Sequence, residues 1–342
     1  MKKLLFMLAL VALSSFAWSL EVREGRLKLL VHENSGRFSL YYLSDIQKDR
    51  YEPLFVDKDP RTTFVAVLID DRAQRLGDSA GYRTKVERTD GGARIVFESS
   101  ILTVTQSFSF ARSSGTVLAD ILRMDISASN KSDRELSVAL RFVLDTNLAE
   151  KKSAHFTTNQ RAIETELAMQ PQTDSDSWWT TESDRLGLMG SVSAPDTRAP
   201  DSLHFANWKR LNDAAWKAAV SKGRNFNLLP YSINDSAVSY YFDAKPLPRG
   251  SERVETIYLG VANQEGFAGL GASGEVSELS RLMQKSIEDA GSAELTLQTD
   301  LVTVRDLLTR VDALLKSDTL TDDELAALEA IIARLKERNP TK

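Results

Sequence analysis

The sequence predicts a mainly β fold: a large antiparallel β-sandwich of supersandwich type, followed by a C-terminal α-helical hairpin. Three observations carry that expectation. Short runs of alternating apolar and polar residues recur from about residue 20 to residue 262, separated by Gly, Asn, Asp and Pro. The hydrophobic period then lengthens from strand-like to helical. Gly266, Gly269, Gly271 and Gly274 stand at the change. The chain therefore divides into a leader (1–19), a β-sandwich domain (20–262), a Gly-rich joint (263–274) and a helical region (275–342).

The leader begins with Lys2 and Lys3 and continues without a charge from Leu4 to Ala17. A basic start, a short apolar run and the small residues Ala17 and Ser19 make a cleavable export signal, with the cut after Ser19. The apolar run is shorter than the ~20 residues that a spanning helix needs. An uncleaved anchor and a buried N-terminal element are the competing readings. Export places the protein in a bacterial periplasm or outside the cell, with no membrane span after cleavage.

The strands follow in order. Arg26–His32 and Arg37–Leu43 flank Glu33-Asn34-Ser35-Gly36, a hairpin turn in which Gly takes positive φ. Thr63–Ile69 is a nearly continuous apolar run. Arg83–Arg88 and Ala93–Glu98 flank the turn Thr89-Asp90-Gly91-Gly92, and Ile101–Phe110 alternates after it. Val117–Ser127 and Leu136–Leu144 flank Asn130–Asp133. The stretch from Ala149 to Val220 is rich in polar loop residues, with short strands near Leu186–Val192 and a short helix expected over Asn212–Ala219. Strands resume at Ala237–Phe242 and Arg253–Val261, joined by a Pro-x-Gly turn.

The helical region carries three expected helices, Glu275–Ala290, Leu295–Lys316 and Asp322–Arg338. In the second, Leu297, Leu301, Val304, Leu308, Val311 and Leu315 alternate steps of four and three, an a/d seam. In the third, Leu325, Leu328, Ile332 and Leu335 continue the pattern, and Thr321 with Glu324 forms a capping box. The short link between them makes the two helices antiparallel neighbours. Such a seam folds on itself, docks on the sandwich, or pairs with an envelope protein or a second copy.

Composition excludes several function classes. The chain has 342 residues, a formal net charge of −5 and no Cys. Thiolate chemistry, disulfides and a lipidated Cys are therefore absent. A mildly acidic chain lacks the electrostatic footprint of nucleic-acid binding. His32, His155 and His204 are scattered, in no metal-type spacing, so no metal and no cofactor are expected. No GxSxG, Walker or strand-linked GxGxxG motif occurs. A non-enzymatic role is the leading expectation.

Aromatic residues supply the one candidate ligand site. Trp178, Trp179, Trp208 and Trp216 are all the Trp residues beyond the leader, and Tyr240 follows them. Flat aromatic faces among Asn, Asp and Arg stack on sugars. Trp also fills sandwich cores and protein interfaces.

Three stretches carry a resemblance to exported bacterial β-sandwich modules. They are Asn130-Lys131-Ser132-Asp133 with Val138–Thr146, Phe205-Ala206-Asn207-Trp208 with Trp216, and Ser236–Phe242 with Leu247–Gly250. Residues 25 to 262 resemble the supersandwich of galactose-mutarotase-like domains. The resemblance implies that fold and a carbohydrate context, and it assigns no catalytic residue.

Overall fold

The computed structural model describes residues 19–270, apart from 46–47, 114–115, 117, 196, 264–265 and 268–269, together with Glu329 and Ala333. The leader up to residue 18 and the predicted heptad seam from Leu297 to Leu335 lie outside the described residues. So does the whole of the predicted helix Glu275–Ala290, and the helical hairpin stays an expectation. Among the described residues no helix is long and apolar enough to cross a membrane.

The described chain is mainly β, in three antiparallel sheets. A four-stranded meander holds β1 (Ser19–Glu24), β2 (Leu27–His32), β3 (Arg37–Asp45) and β4 (Arg50–Pro53). A nine-stranded sheet contains β7 (Arg83–Thr89), β8 (Gly92–Glu98), β9 (Leu102–Ala111), β10 (Ile121–Asn130), β12 (Phe156–Thr158), β13 (Ala162–Ile163), β15 (Trp178–Glu182), β16 (Gly187–Ser191) and β19 (Glu252–Val261). Its order is β13-β12-β15-β16-β19-β10-β9-β8-β7. A six-stranded sheet contains β5 (Phe64–Ile69), β6 (Arg72–Arg75), β11 (Leu136–Thr146), β14 (Leu167–Met169), β17 (Ser202–Asn207) and β18 (Ser236–Leu247), in the order β14-β17-β18-β11-β5-β6.

Strand alternation explains the core. In β11, Val138, Leu140, Phe142 and Leu144 point one way; in β10, Leu122, Met124, Ile126 and Ala128 do the same. These rows meet in a single cluster that also takes Leu29 and Val31 of β2. Phe38 of β3 joins all three sheets, its ring 4.8 Å from Phe108 of β9 and 6.3 Å from Phe142 of β11. Burial of these side chains is the main stabilising term in a chain without disulfides.

The outer face of the six-stranded sheet has its own cover. Phe64, Ala66, Val143, Ala206 and Ala237 turn away from the core and are roofed by helix α1 (Trp208–Asp213) and residues 214–220. The helix expected over Asn212–Ala219 is thus replaced by a shorter, earlier one. Asn207 starts it by accepting from the backbone N–H groups of Lys209 and Arg210. After it, the Tyr241 hydroxyl accepts from the Ala218 N–H (3.2 Å) and donates to the Trp216 carbonyl (3.4 Å), so this backbone is satisfied without helical bonds. The strand expected from Val117 begins instead at Ile121. Asp120 folds the preceding loop by accepting from the Ser113 N–H (2.8 Å) and hydroxyl.

Candidate functional site

The five aromatic residues singled out from the sequence occupy three separate environments. Trp179 and Tyr240 are fully buried inside the sandwich. Trp178, one residue earlier on β15, faces the opposite way and packs beside Tyr258, Met189 and Phe267 on the outer face of the nine-stranded sheet. Trp208 and Trp216 lie in the roof of the six-stranded sheet. One aromatic surface shared by all four Trp residues is therefore not what the fold builds. The physical reason is the period of two: neighbours on a strand cannot share a face.

A different constellation gathers where β11 and β17 end and β18 begins. Asn207, fully buried, is its hub. Its side-chain carbonyl caps α1, while its amide nitrogen donates to the Phe226 carbonyl (2.8 Å), the Ser232 hydroxyl (2.9 Å) and the Asp235 carbonyl (3.1 Å). Beside it Glu166 is buried and accepts from Arg210 and, at 2.5 to 2.6 Å, from Arg224. Arg210 reaches on to the Asn225 (3.3 Å) and Asn227 carbonyls. A buried carboxylate held by two guanidinium groups is compensated charge, and its work here is to fix the loop that follows.

That loop, residues 226–235, is braced internally as well. Leu228 and Ser232 form an isolated bridge with bonds of 2.9 and 3.0 Å. The Asn227 side chain accepts from the Asn234 N–H at 2.6 Å. The Ser232 hydroxyl turns inward to Asn207. Its neighbours at alternate positions turn outward: Leu229 is 70% exposed, Tyr231 71% and Ile233 69%. They are three of the five exposed large apolar residues among those described. Lys209 lies over the Tyr231 ring at 5.5 Å.

Three carboxylates flank the same end of the sheet. Burial, with Asp235 and Glu150 nearby, pushes Asp145 up to about 8. Burial and Asp235 push Glu150 up to about 7. Asp235 is itself raised by burial. Carboxyl groups that stay neutral near pH 7 are able to donate a proton. Trp208 adjoins them: its indole donates to the Thr62 carbonyl (2.9 Å) and its backbone N–H to the Asp235 carbonyl (3.0 Å).

The histidines do not join this group as ligands. His204 lies on the outer sheet face against Tyr241, 4.6 Å between rings, and burial with Lys217 beside it pushes it down to about 4. His155 stacks on Phe226 at 4.4 Å. Among the described residues no group of three or more His, Asp and Glu is placed to hold a metal ion.

Glu166, Arg210, Arg224, the 226–235 loop and the capping and bracing role of Asn207 are not among the features that the sequence singles out. A local signal for the loop was present: three Asn residues, at 225, 227 and 234, bracket Leu-Leu-Pro-Tyr-Ser-Ile.

No known family matches the sequence, and no curated protein matches it. Solved structures do resemble it. A galactose mutarotase related enzyme from Lactobacillus acidophilus aligns over 72% of this chain and 98% of its own, at 9% identity and a TM-score of 0.45. A putative aldose 1-epimerase from Escherichia coli K12 aligns over 72% and 99%, at 12% identity and the same TM-score. A TPR-domain containing protein from Parabacteroides distasonis aligns over 94% of this chain and 68% of its own, at 9% identity and a TM-score of 0.45. The likeness to galactose-mutarotase-like structures is a weak resemblance of fold.

Proposed function

We propose that this chain is a non-enzymatic interaction protein of the bacterial envelope. The leader delivers it, the β-sandwich is a rigid platform, and the 226–235 loop is the docking element on that platform. The helical hairpin of residues 275–342 serves as a second association element, through the seam from Leu297 to Leu335. The observation that carries this reading is the loop itself. Leu229, Tyr231 and Ile233 are held open to solvent by bonds from Asn207 and Arg210. Holding apolar side chains in water costs stability, and a docking partner recovers it. A loop already ordered also loses little entropy on binding.

The test is a triple variant, Leu229→Ser, Tyr231→Ser and Ile233→Ser. These exposed side chains contribute little to folding, so the unfolding midpoint stays in place. The share of the protein that sediments with the envelope falls several-fold. An unchanged share removes the loop from the function. Deleting residues 295–342 tests the hairpin: the sandwich stays folded and its mass in light scattering drops if the seam associates. An unchanged mass with all partners retained refutes that role.

A second reading, carbohydrate binding or modification, has one specific observation in its favour. Trp208 adjoins Asp235, whose carboxyl is raised by burial, and near it Asp145 and Glu150 are pushed up to about 8 and about 7. Under this reading Trp fluorescence shifts on addition of a glycan, and Trp208→Ala abolishes the shift. A flat response across a glycan panel removes it.

A further inference from the structure

We infer that Asp145, Glu150 and Asp235 form a proton-operated latch at the base of the 226–235 loop, closed while their carboxyls are protonated and opened by their ionisation. The latch stands on contacts at the base of the loop, whatever the loop docks on.

Strand register places two of the three groups. Asp145 on β11 pairs with Ala237 on β18, so Asp235 is its diagonal neighbour on the outer face of the sheet, about 7 to 8 Å away between backbones. Glu150 faces the Ser236 N–H, one residue further along. The three carboxyls thus surround the peptide through which the loop enters β18. The same point carries the anchors of the loop. The Asp235 carbonyl accepts from the Trp208 N–H (3.0 Å) and from the Asn207 amide (3.1 Å). The Ser232 hydroxyl accepts from Asn207 and lies against the Asp235 carboxyl.

No base offsets these acids: among the described residues none of the three has an ion-pair partner. Asp59, which also bears on Asp145, is held by Arg61. Asp57 lies against the Tyr41 hydroxyl, and Lys58 beside it is exposed. On α1, Lys209 pairs with Asp213 and Arg210 with Glu166. After Glu150, Lys151 is exposed and Lys152 pairs with Asp184. Burial and these acidic neighbours push Asp145 up to about 8 and Glu150 up to about 7, and burial raises Asp235 despite the Ser232 hydroxyl. Ionisation therefore sets like charges side by side where water reaches poorly.

The loop is the part that yields. Asp145 lies in β11, which is bonded on both sides, to β18 and to β5. Asp235 lies outside any strand, and behind it Leu229, Tyr231 and Ile233 are exposed rather than packed. Local opening follows the segment with the fewest buried contacts. Outward movement of Asp235 hydrates its charge and takes Ser232 away from Asn207. The held loop binds more protons than the released one, so release grows as pH rises through 7 and 8 and levels off above that.

Hydrogen exchange on the full chain tests the latch. Protection, taken against the unstructured rate at each pH, is read at the bonded loop amides of Leu228, Tyr231 and Ser232. Between pH 6 and pH 8 it falls at least about tenfold, the ratio that one pKa unit represents. The amides of β11 and β18 keep their protection. Asp145→Asn and, separately, Asp235→Asn are neutral at every pH and each reduce the fall. Asp90→Asn, at the exposed tip of the β7–β8 hairpin, leaves it unchanged.

Three results overturn the inference. One is loop protection that stays level from pH 6 to pH 8. Another is a fall that persists in full in the Asn variants. The third is a fall shared equally by β11 and β18, which is global unfolding. If Asp145→Asn does not fold, Asp235→Asn decides alone, since its side chain lies outside the strands. The docking reading is judged separately, by the envelope share of the triple serine variant, which keeps all three carboxyls.

Discussion

The indole nitrogen of Trp179 donates a 2.7 Å hydrogen bond to the hydroxyl of Tyr240 in the centre of the core. The two residues belong to different sheets, Trp179 to the nine-stranded and Tyr240 to the six-stranded one, and both are fully buried. The bond satisfies the only donor of the indole in a place that water does not reach. It also ties the facing sheets by a directional contact among non-directional ones. Gly190 lies opposite Trp179 on β16, and a Cβ there would fall inside the indole ring.

Tyr240→Phe therefore leaves the Trp179 N–H buried and unpaired. The expected loss of stability is about 1 to 3 kcal/mol, the cost of an unsatisfied buried donor. Urea unfolding followed by Trp fluorescence measures it. A loss within error of zero would mean that the indole finds another acceptor.

Glu166→Ala removes the shared partner of Arg210 and Arg224. Arg210 is mostly buried, so its guanidinium is left as uncompensated charge. The expected cost is about 3 to 5 kcal/mol. The same change frees Arg210 from the position where it bonds Asn225 and Asn227, so the 226–235 loop gains mobility. Limited proteolysis should cut there first. Destabilisation spread evenly, with no new cut in this loop, would separate Glu166 from loop positioning.

Stability depends on pH through the carboxylates at the end of the sheet. Asp145 at about 8 and Glu150 at about 7 both lie above their ordinary values because burial disfavours the charged form. The folded chain thus binds more protons than the unfolded chain, so this contribution is complete below about pH 4 and is lost as pH rises through 7 and 8. His204 works in the opposite sense. It is held down to about 4, so the unfolded chain takes the proton first as pH falls through about 6.5. The unfolding free energy should fall as pH rises from about 5 to about 8, with His204 offsetting only one of the two carboxyl groups below 6.5, and should level off above about 8. Asp145→Asn, neutral at every pH, should remove much of the fall. A wild-type curve that is level from about pH 5 to about 8 would refute the assignment.

Much of the β framework was legible because long strands print a period of two. The hairpin at Thr89–Gly92 forms as read, with Gly91 at a φ of 75°. The predicted strands over Arg37–Leu43 and Ile101–Phe110 match β3 and β9 closely. The strands β12, β13 and β14 have only two or three residues each, too few to show any period. The site was less legible for two physical reasons. Trp178 and Trp179 are adjacent in sequence, and strand alternation sends one inward and the other outward. Glu166, Arg210 and Arg224 meet only because β14, α1 and the later loop converge, and long-range ion pairs leave no local pattern. The exposed loop followed the opposite logic: its apolar residues look like core in sequence and stand in solvent in the fold.

Asn207 tests whether the loop is held for a purpose. It performs two jobs with opposite ends of one amide. The oxygen caps α1, and the nitrogen donates to Phe226, Ser232 and Asp235. Asn207→Ser separates them, since Ser is a good N-cap but has no amide to reach the loop. The helix and the roof over Phe64 and Val143 should persist. The buried Phe226 carbonyl and the Ser232 hydroxyl lose this donor, while the Asp235 carbonyl keeps the Trp208 N–H, and the change costs about 1 to 3 kcal/mol in all. Hydrogen exchange should accelerate between Asn227 and Asn234 while the strands β17 and β18 remain protected. Docking should weaken even though Leu229, Tyr231 and Ile233 are all still present, because the partner must now order the loop as it binds. If exchange quickens and docking does not change, the apolar side chains act without preorganisation, and the cost of holding them open has another explanation.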